Sequence, residues 1–356
     1  MNQQRLQKVL DNMKQAGLHQ LLVTETEPVY YLTGIWVSPM ERMMALYIRE
    51  DGKVTFFGNK LFAIAPQEGL EMVEHTDSDD PVAQLAAAVL PGELGIDETW
   101  PSRFLIGLMS HRPDVKPVLG SEPVAQATMY KDEEERELMR AASRIDDACI
   151  DMAIHAIREG ITEKELSSKV EHFFQEKGCD HLGFSIVAMG ANGADPHHGT
   201  DGTVLKEGDS IVMDIGAPFN HYWCDMTRTV FYKSVSEEQR TVYETVRRAN
   251  EAAIAVVKPG VAFKEIDLAA RKVIEDAGYG EYFTHRTGHS IGMKEHEQPP
   301  VSSECEVIAK PGMIFSIEPG IYLPGKFGVR VEDLVLVTED GCEVLNKYPK
   351  DLIVVE

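Results

Sequence analysis

A chain of 356 residues with 43% hydrophobic content is longer than the roughly 100–200 residues of one domain, so two domains are expected. Its 35 basic and 58 acidic side chains leave a net charge of −23, which argues against a nucleic-acid partner held through a basic face. No apolar run approaches the roughly 20 residues of a membrane span. Cys149, Cys179, Cys224, Cys305 and Cys342 form no CxxC pair and read as reduced, structural thiols of a cytoplasmic protein.

Residues 1–126 read as a small α/β domain. The polar, amphipathic start places Leu6, Val9, Leu10 and Met13 at helical spacing, and it lacks the charged-then-apolar pattern of a signal segment. The first helix ends near Gly17, and HQLLVTE follows as a strand. YYLTGIWVSPMERM carries aromatics at a strand end, where Trp36 is either a packed ring or a ligand face. ALYIREDGKVTFFG is a hairpin signal, with Asp51-Gly52 between two β-rich runs. A helix over PVAQLAAAVL, a strand over GELGID and a helix over SRFLIGLMSH complete the domain, none with a catalytic motif.

The boundary is expected near Ala125–Lys131, with a second domain over 127–356. It opens on one long helix, KDEEERELMRAASRIDDACIDMAIHAIREG, with acids in its first turn and Gly160 as its stop. Thr162–Glu165 (TEKE) and Ser236–Gln239 (SEEQ) are capping boxes that open further helices.

An internal repeat organises this half. GITEKELSSKVEHFFQEKG from Gly160 matches GVAFKEIDLAARKVIEDAG from Gly260 at an offset of 100. KEGDSIVMDIG from Lys206 matches KPGMIFSIEPG from Lys310 at an offset of 104, which superimposes Asp214 on Glu318. A helix–strand module thus occurs twice, each copy with a carboxylate at the same place. Two such halves facing each other would bring four acids to one centre.

The stretch His285–Asp333 holds the remaining chemistry: HRTGHSIGMKEHEQPP, EPG at Glu318–Gly320 and GVRVED at Gly328–Asp333. Alternation along a strand puts Asp214 opposite Met213 and Ile215, and a loop over Ala217–Trp223 lets its strand pair with the one carrying Asp225. In the second copy Glu318 closes a strand, LPGKFG turns, and Glu332 sits in the return strand VRVEDLVLV. His289 supplies a nitrogen. Burying four carboxylates without a counter-cation would cost many kcal/mol, and an oxygen-rich set with one imidazole suits Mn²⁺, Co²⁺ or Zn²⁺.

HRTGHSIGMKEHE, EPGIYLPG and GVRVED, with YYLTG in the first domain and the linker KDEEERELMR, resemble the metal-dependent Xaa-Pro peptidases. That family, prolidase and aminopeptidase P, belongs to a larger group with methionine aminopeptidase and creatinase. The resemblance implies an α/β fold (α+β) in two parts, a creatinase-like N-terminal domain and a pseudo-two-fold pita-bread catalytic domain. It implies two divalent ions, Mn²⁺ first with Co²⁺ or Zn²⁺ as alternatives, held by Asp214, Asp225, His289, Glu318 and Glu332. Asp225 and Glu332 would bridge the pair, and a bridging water or hydroxide would attack the bond before proline. Glu318 would carry the proton to the leaving nitrogen, while His197 and His296 would hold the scissile carbonyl. Arg330 would balance the acids, with His285 and Tyr322 beside it as substrate-binding residues. His198 reads as a neighbour only. Short proline-containing peptides are the implied substrates, and a homodimer the implied assembly.

Two positions depart from the family pattern. Ser290 stands where glycine commonly follows the metal-binding histidine. No arginine follows His296-Glu297, where QPPVSS runs on, nor does LPGKFG hold one, although some dipeptidases of the family clamp the substrate carboxylate with an arginine in such places. Lys294, Lys326 or a second subunit could substitute. A Xaa-Pro dipeptidase is the leading reading and a Xaa-Pro aminopeptidase its alternative. A non-catalytic binding module on this fold would be expected to lack ligands, and all five positions are filled.

Overall fold

The computed structural model describes residues 1–356 as two compact units, Met1–Thr128 and Met129–Glu356. The first begins with α1 (Gln3–Gln15), which the Asn2 side chain caps by accepting from the Arg5 N–H. Then come β1 (Gln20–Val23), α2 (Thr26–Thr33), β2 (Ala45–Arg49), β3 (Val54–Asn59), β4 (Glu71–His75), α3 (Pro81–Ala88), β5 (Gly92–Ile96), α4 (Ser102–His111), β6 (Val115–Leu119) and α5 (Glu122–Met129). The strands make one sheet in the order β4-β3-β2-β1-β5-β6. β2 and β3 are the expected hairpin, with Ile48 opposite Val54 across Asp51-Gly52. Leu22, Tyr47, Phe57, Leu85 and Leu94 form the core between sheet and helices.

One expectation fails in this unit. Tyr30 and Tyr31 lie in α2, not at a strand end. Gly34 closes that helix at φ +71, its N–H on the Tyr30 carbonyl, and the Thr33 hydroxyl donates to Val29 O. Val and Tyr favour strands by propensity, but burial of Val29, Tyr31 and Leu32 overrides it. Trp36 packs edge-on against Tyr30 with centroids 5.5 Å apart.

The second unit runs α6 (Glu133–Ala156), α7 (Glu163–Glu176), β7 (Phe184–Met189), β8 (Ser210–Gly216), β9 (Pro218–Phe219), β10 (Tyr222–Trp223), β11 (Met226–Tyr232), α8 (Glu237–Val256) and α9 (Phe263–Asp276). It continues through β12 (Gly288–Ser290), β13 (Glu297–Val301), β14 (Ile314–Ile317), β15 (Gly320–Leu323), β16 (Phe327–Arg330), β17 (Asp333–Val337), β18 (Cys342–Val344) and β19 (Val354–Val355). Both capping boxes read from sequence, Thr162/Glu165 and Ser236/Gln239, are formed.

The sequence repeat is a repeat of structure. Helices α7 and α9 are both 14 residues long, and the bridge Thr162↔Val204 recurs as Ala262↔Ile308, at the same offsets of 100 and 104. In each half two antiparallel strands are pried open at one end by an inserted hairpin. β8 and β11 enclose the hairpin β9–β10, and β14 and β17 enclose β15–β16. Each half has its own core, Ile150, Phe174, Met213 and Val230 in the first, Val246, Ile266, Phe315 and Val335 in the second.

Two local expectations are corrected here. Ala217–Trp223 is not a plain loop but that short hairpin, with Asn220 and His221 at φ +49 and +69 in its two-residue turn. VRVEDLVLV is not one strand either. Val331 and Glu332 interrupt it, because the Val331 N–H turns to Pro319 O (3.4 Å) and the Glu332 N–H crosses to Thr227 O (3.1 Å) in the other half. Buried Arg228 fastens the same point by reaching Asp333 Oδ1 at 2.7 Å and the Glu332 carbonyl at 2.5 Å.

Candidate metal centre and active site

The pried-open ladders place the acids. Asp214 lies in β8 opposite Thr227, and Asp225 immediately precedes β11. Glu318 immediately follows β14, and Glu332 stands in the gap before β17. His289 projects from β12, where Gly288 lets the chains close up: a Cβ at Gly288 would sit 2.0 Å from Ser316 O. These five side chains form the floor of a cavity of about 210 Å³. Ligand atoms of Asp225, His289 and Glu332 lie within 4.8 Å of one another, all three residues buried. His289 Nε2 is 3.5 Å from Asp225 Oδ2 and 3.6 Å from Glu318 Oε1.

The histidine is aimed by its backbone. Its Nδ1 lies 3.2 Å from Ser290 O, so that nitrogen carries the proton and Nε2 offers its lone pair to the acids. Its own N–H donates to Ser316 Oγ, whose hydroxyl in turn donates to Glu318 Oε1 at 3.2 Å. Ser290, the departure from the family's glycine, is buried and donates to Pro299 O at 2.8 Å.

Does this pocket fit divalent metal? Asp214 Oδ1 and Asp225 Oδ1 are buried and have no hydrogen-bond partner. Burial, and then repulsion from neighbouring acids, raises the Asp225 and Glu332 carboxyls well above the usual range. Glu318 is pushed up to about 7, again by burial first. Arg330 is the one guanidinium paired with the cluster, at 2.5 Å from Asp214 Oδ2. One cation against four acids leaves the site short of positive charge, and its donor set of oxygens with one imidazole is that of a borderline or hard divalent ion. The residues fit.

Arg330 also begins a directed chain of hydrogen bonds. Its Nε donates to Thr227 Oγ1 at 3.1 Å and its Nη1 to the Tyr322 hydroxyl at 2.9 Å. Tyr322 donates to His285 Nε2 at 2.8 Å, and His285 Nδ1 donates to Arg286 O at 2.7 Å. That order requires neutral His285, and burial with the nearby Arg330 charge does push it down to about 4. Tyr322 therefore lies behind the wall and meets the site through its hydroxyl, whereas His197, His285 and His296 line the cavity. The His296 ring rests on His289 with centroids 3.9 Å apart, and burial pushes it down to about 4, so it too is neutral.

Several residues here were not singled out from the sequence. Arg286, Glu295, Phe184 and Ile186 also line the cavity. Arg286 had a signal, an arginine inside the histidine motif of a very acidic chain. His198, read as a bystander, is held by Glu163 at 2.8 Å. Fully buried Glu163 also accepts from Met189 N (2.8 Å), Asn192 Nδ2 (2.9 Å) and Asp201 N (2.9 Å). It thereby clasps the loop that carries His197. Lys294 and Lys326 do not line the cavity, and Lys326 pairs with Glu238 at 2.7 Å.

Comparison with known proteins agrees with this construction. Residues 137–339 match the model of metallopeptidase family M24, and residues 5–128 match the creatinase/prolidase N-terminal domain. The chain is 35% identical to "Putative dipeptidase YkvY" of Bacillus subtilis (strain 168), over 98% of its own length and 99% of the relative's. Its structure superimposes on a dipeptidase from Pyrococcus horikoshii OT3 with TM-score 0.94 at 35% identity, covering 98% and 99% of the two chains. It also superimposes on a prolidase from Thermococcus sibiricus with TM-score 0.93 at 33% identity, covering 99% of each. The chain belongs to metallopeptidase family M24. Its fold, a creatinase-type N-terminal domain followed by a pita-bread catalytic domain, is the one expected from the sequence.

Proposed function

We propose that this metallopeptidase is a Xaa-Pro dipeptidase, in which Asp214, Asp225, His289, Glu318 and Glu332 hold two divalent ions. The observation that carries the reading is the cluster itself: four acids and an imidazole converge on one cavity, with two buried carboxylate oxygens still unpartnered. The dipeptidase and prolidase relatives support the substrate class. When bound, such ions supply Lewis acidity and a nucleophile at neutral pH.

The chain's own groups divide the remaining work. Glu318 lines the cavity where its carboxylate can take a proton and pass it to the leaving imino nitrogen. Neutral His296 has its Nδ1 turned to the Arg286 guanidinium at 3.5 Å, so its proton sits on Nε2 as a hydrogen-bond donor for the scissile carbonyl. His197 faces the same space from the clasped loop, Arg330 fixes Asp214, and His285 and Tyr322 steady Arg330 from behind. Phe184 and Ile186 give the cavity an apolar wall on which a pyrrolidine ring can rest. Mn²⁺ as resident ion, a homodimer and a cytoplasmic site belong to the same proposal. The oxygen-rich donor set supports the first, family resemblance the second, and five free cysteines the third.

The test is hydrolysis of Ala-Pro, Ala-Ala and Ala-Pro-Ala by protein stripped with a chelator and then given Mn²⁺, Co²⁺ or Zn²⁺. Preference for Ala-Pro is expected. Preference for Ala-Pro-Ala would make the enzyme an aminopeptidase, and no cleavage of either proline peptide would refute the Xaa-Pro reading.

A further inference from the structure

A free dipeptide carries a carboxylate one residue after the scissile bond, where a longer peptide has a neutral amide, so a site that selects dipeptides needs a cation to receive that charge. Arg330 is committed to Asp214, Tyr322 and Thr227, and neither candidate lysine lines the cavity. Arg286 does line it.

Three observations single this arginine out. Its guanidinium has no carboxylate within ion-pair distance, and its side-chain contact is His296 Nδ1 at 3.5 Å. Arg228, Arg271 and Arg330 of the same unit each bind an aspartate. An unpaired cation is unexpected in a chain with 58 acids and 35 bases. Its backbone is also fixed on both sides. Arg271 donates to His285 O at 3.0 Å, Asp267 accepts from Thr287 N and Oγ1 at 3.0 and 2.8 Å, and His285 donates to Arg286 O itself. Finally it adjoins the histidines of the site: the guanidinium contacts His296, whose ring rests on His289 with centroids 3.9 Å apart.

We infer that Arg286 binds the free carboxylate of the substrate's C-terminal residue and so restricts the enzyme to dipeptides. This rests on the dipeptidase reading above. The planar fork pairs with both carboxylate oxygens and takes the place of the arginine that the segment after His296-Glu297 lacks. A longer peptide would bring a neutral amide to the same guanidinium and forfeit the pairing.

The experiment compares Ala-Pro with its C-terminal amide, Ala-Pro-NH₂, in the wild-type enzyme and in Arg286→Ala and Arg286→Lys, all with Mn²⁺. Inhibition by proline and by prolinamide serves as a binding readout. The wild type is expected to favour Ala-Pro over the amide by about ten- to a hundredfold in kcat/KM, the range of one hydrogen-bonded charge. In Arg286→Ala that ratio should fall toward one, chiefly through KM for Ala-Pro, and proline should lose its advantage over prolinamide as inhibitor. Arg286→Lys should lie between. An acid-to-amide ratio in Arg286→Ala equal to that of the wild type would overturn the assignment and leave the dipeptidase reading intact. So would a wild type indifferent to amidation. A wild type that prefers Ala-Pro-Ala, or cleaves no proline peptide, would instead remove the reading on which the assignment rests.

Discussion

Arg330 and Asp214 meet at 2.5 Å, nitrogen to oxygen, with both side chains largely shielded from water. The pair joins the two halves of the repeat, since Asp214 belongs to β8 and Arg330 ends β16. Burial opposes the guanidinium charge, but Tyr322, Asp214 and Glu318 hold Arg330 firmly protonated. Arg330→Ala would leave Asp214 unpaired among three other acids. Breaking a buried pair in this way costs about 3–5 kcal/mol, and activity on Ala-Pro should fall by more than about a hundredfold. Arg330→Lys keeps the charge but cannot serve Asp214, Tyr322 and Thr227 together, so it should recover stability better than kcat. Urea unfolding alongside kcat measures both. Equal recovery of the two would show that only the charge matters.

Removing the metal should also be visible without any assay of activity. A ligand at a hundredfold excess over its Kd stabilises the fold by about 2.7 kcal/mol, which for a catalytic unit of this size is on the order of 5–10 °C in Tm. Chelation should lower Tm by that amount, and Mn²⁺ should restore it. Asp225→Asn removes a charge from the three-residue buried cluster. It should bind fewer ions per chain by elemental analysis, and lose more activity than the 10–100-fold typical of outer-shell changes. Full metal content in Asp225→Asn would show that Asp225 is not a ligand.

Much of this was legible in the sequence because the repeat is short-range information. Capping boxes, the Asp51-Gly52 hairpin and the two copies of the helix–strand module are local patterns, and the structure forms each of them. What escaped depends on contacts between distant segments. The break at Val331–Glu332 exists because Thr227 O, more than a hundred residues earlier, captures the Glu332 N–H. The helix through Tyr30 and Tyr31 reflects burial that strand propensity cannot anticipate. The roles of Glu163 and Arg286 arise from where loops pass, and no spacing rule encodes that. A buried glutamate at the first turn of a helix reads from sequence only as a favourable charge at a helix N-terminus.

Ser290 gives a mild test with a definite sign. Its hydroxyl donates to Pro299 O across a bulged pairing of β12 and β13. Ser290→Gly deletes that bond and adds backbone freedom in the unfolded chain, each worth roughly 0.5–1 kcal/mol. The variant should therefore lose about 1–2 kcal/mol in urea unfolding while keeping the His289 backbone hydrogen bond to Ser316 Oγ. Metal affinity should change less than threefold. A large drop in affinity would mean that the hydroxyl, and not only the strand pairing, orients the imidazole.

Glu163 offers the sharpest separation of stability from catalysis. The residue touches nothing in the cavity, yet four donors converge on its two oxygens: Met189 N, Asn192 Nδ2, His198 Nε2 and Asp201 N. Glu163→Ala would strand two backbone N–H groups and two side chains, at about 1–3 kcal/mol for each buried donor left unmet, and should unfold at much lower urea. Glu163→Gln keeps an acceptor for one oxygen's donors but presents an amide N–H₂ to the others. The loop bearing His197 should loosen while the rest of the fold holds. Amide exchange at Met189 and Asp201 should accelerate, and kcat on Ala-Pro should drop by about tenfold with little change in bound metal. If amide exchange accelerates and kcat stays at the wild-type value, the clasp serves the fold alone and His197 does not need to be held. If neither changes, the glutamine has satisfied the same donors, and His198→Ala becomes the variant that opens the clasp from its other side.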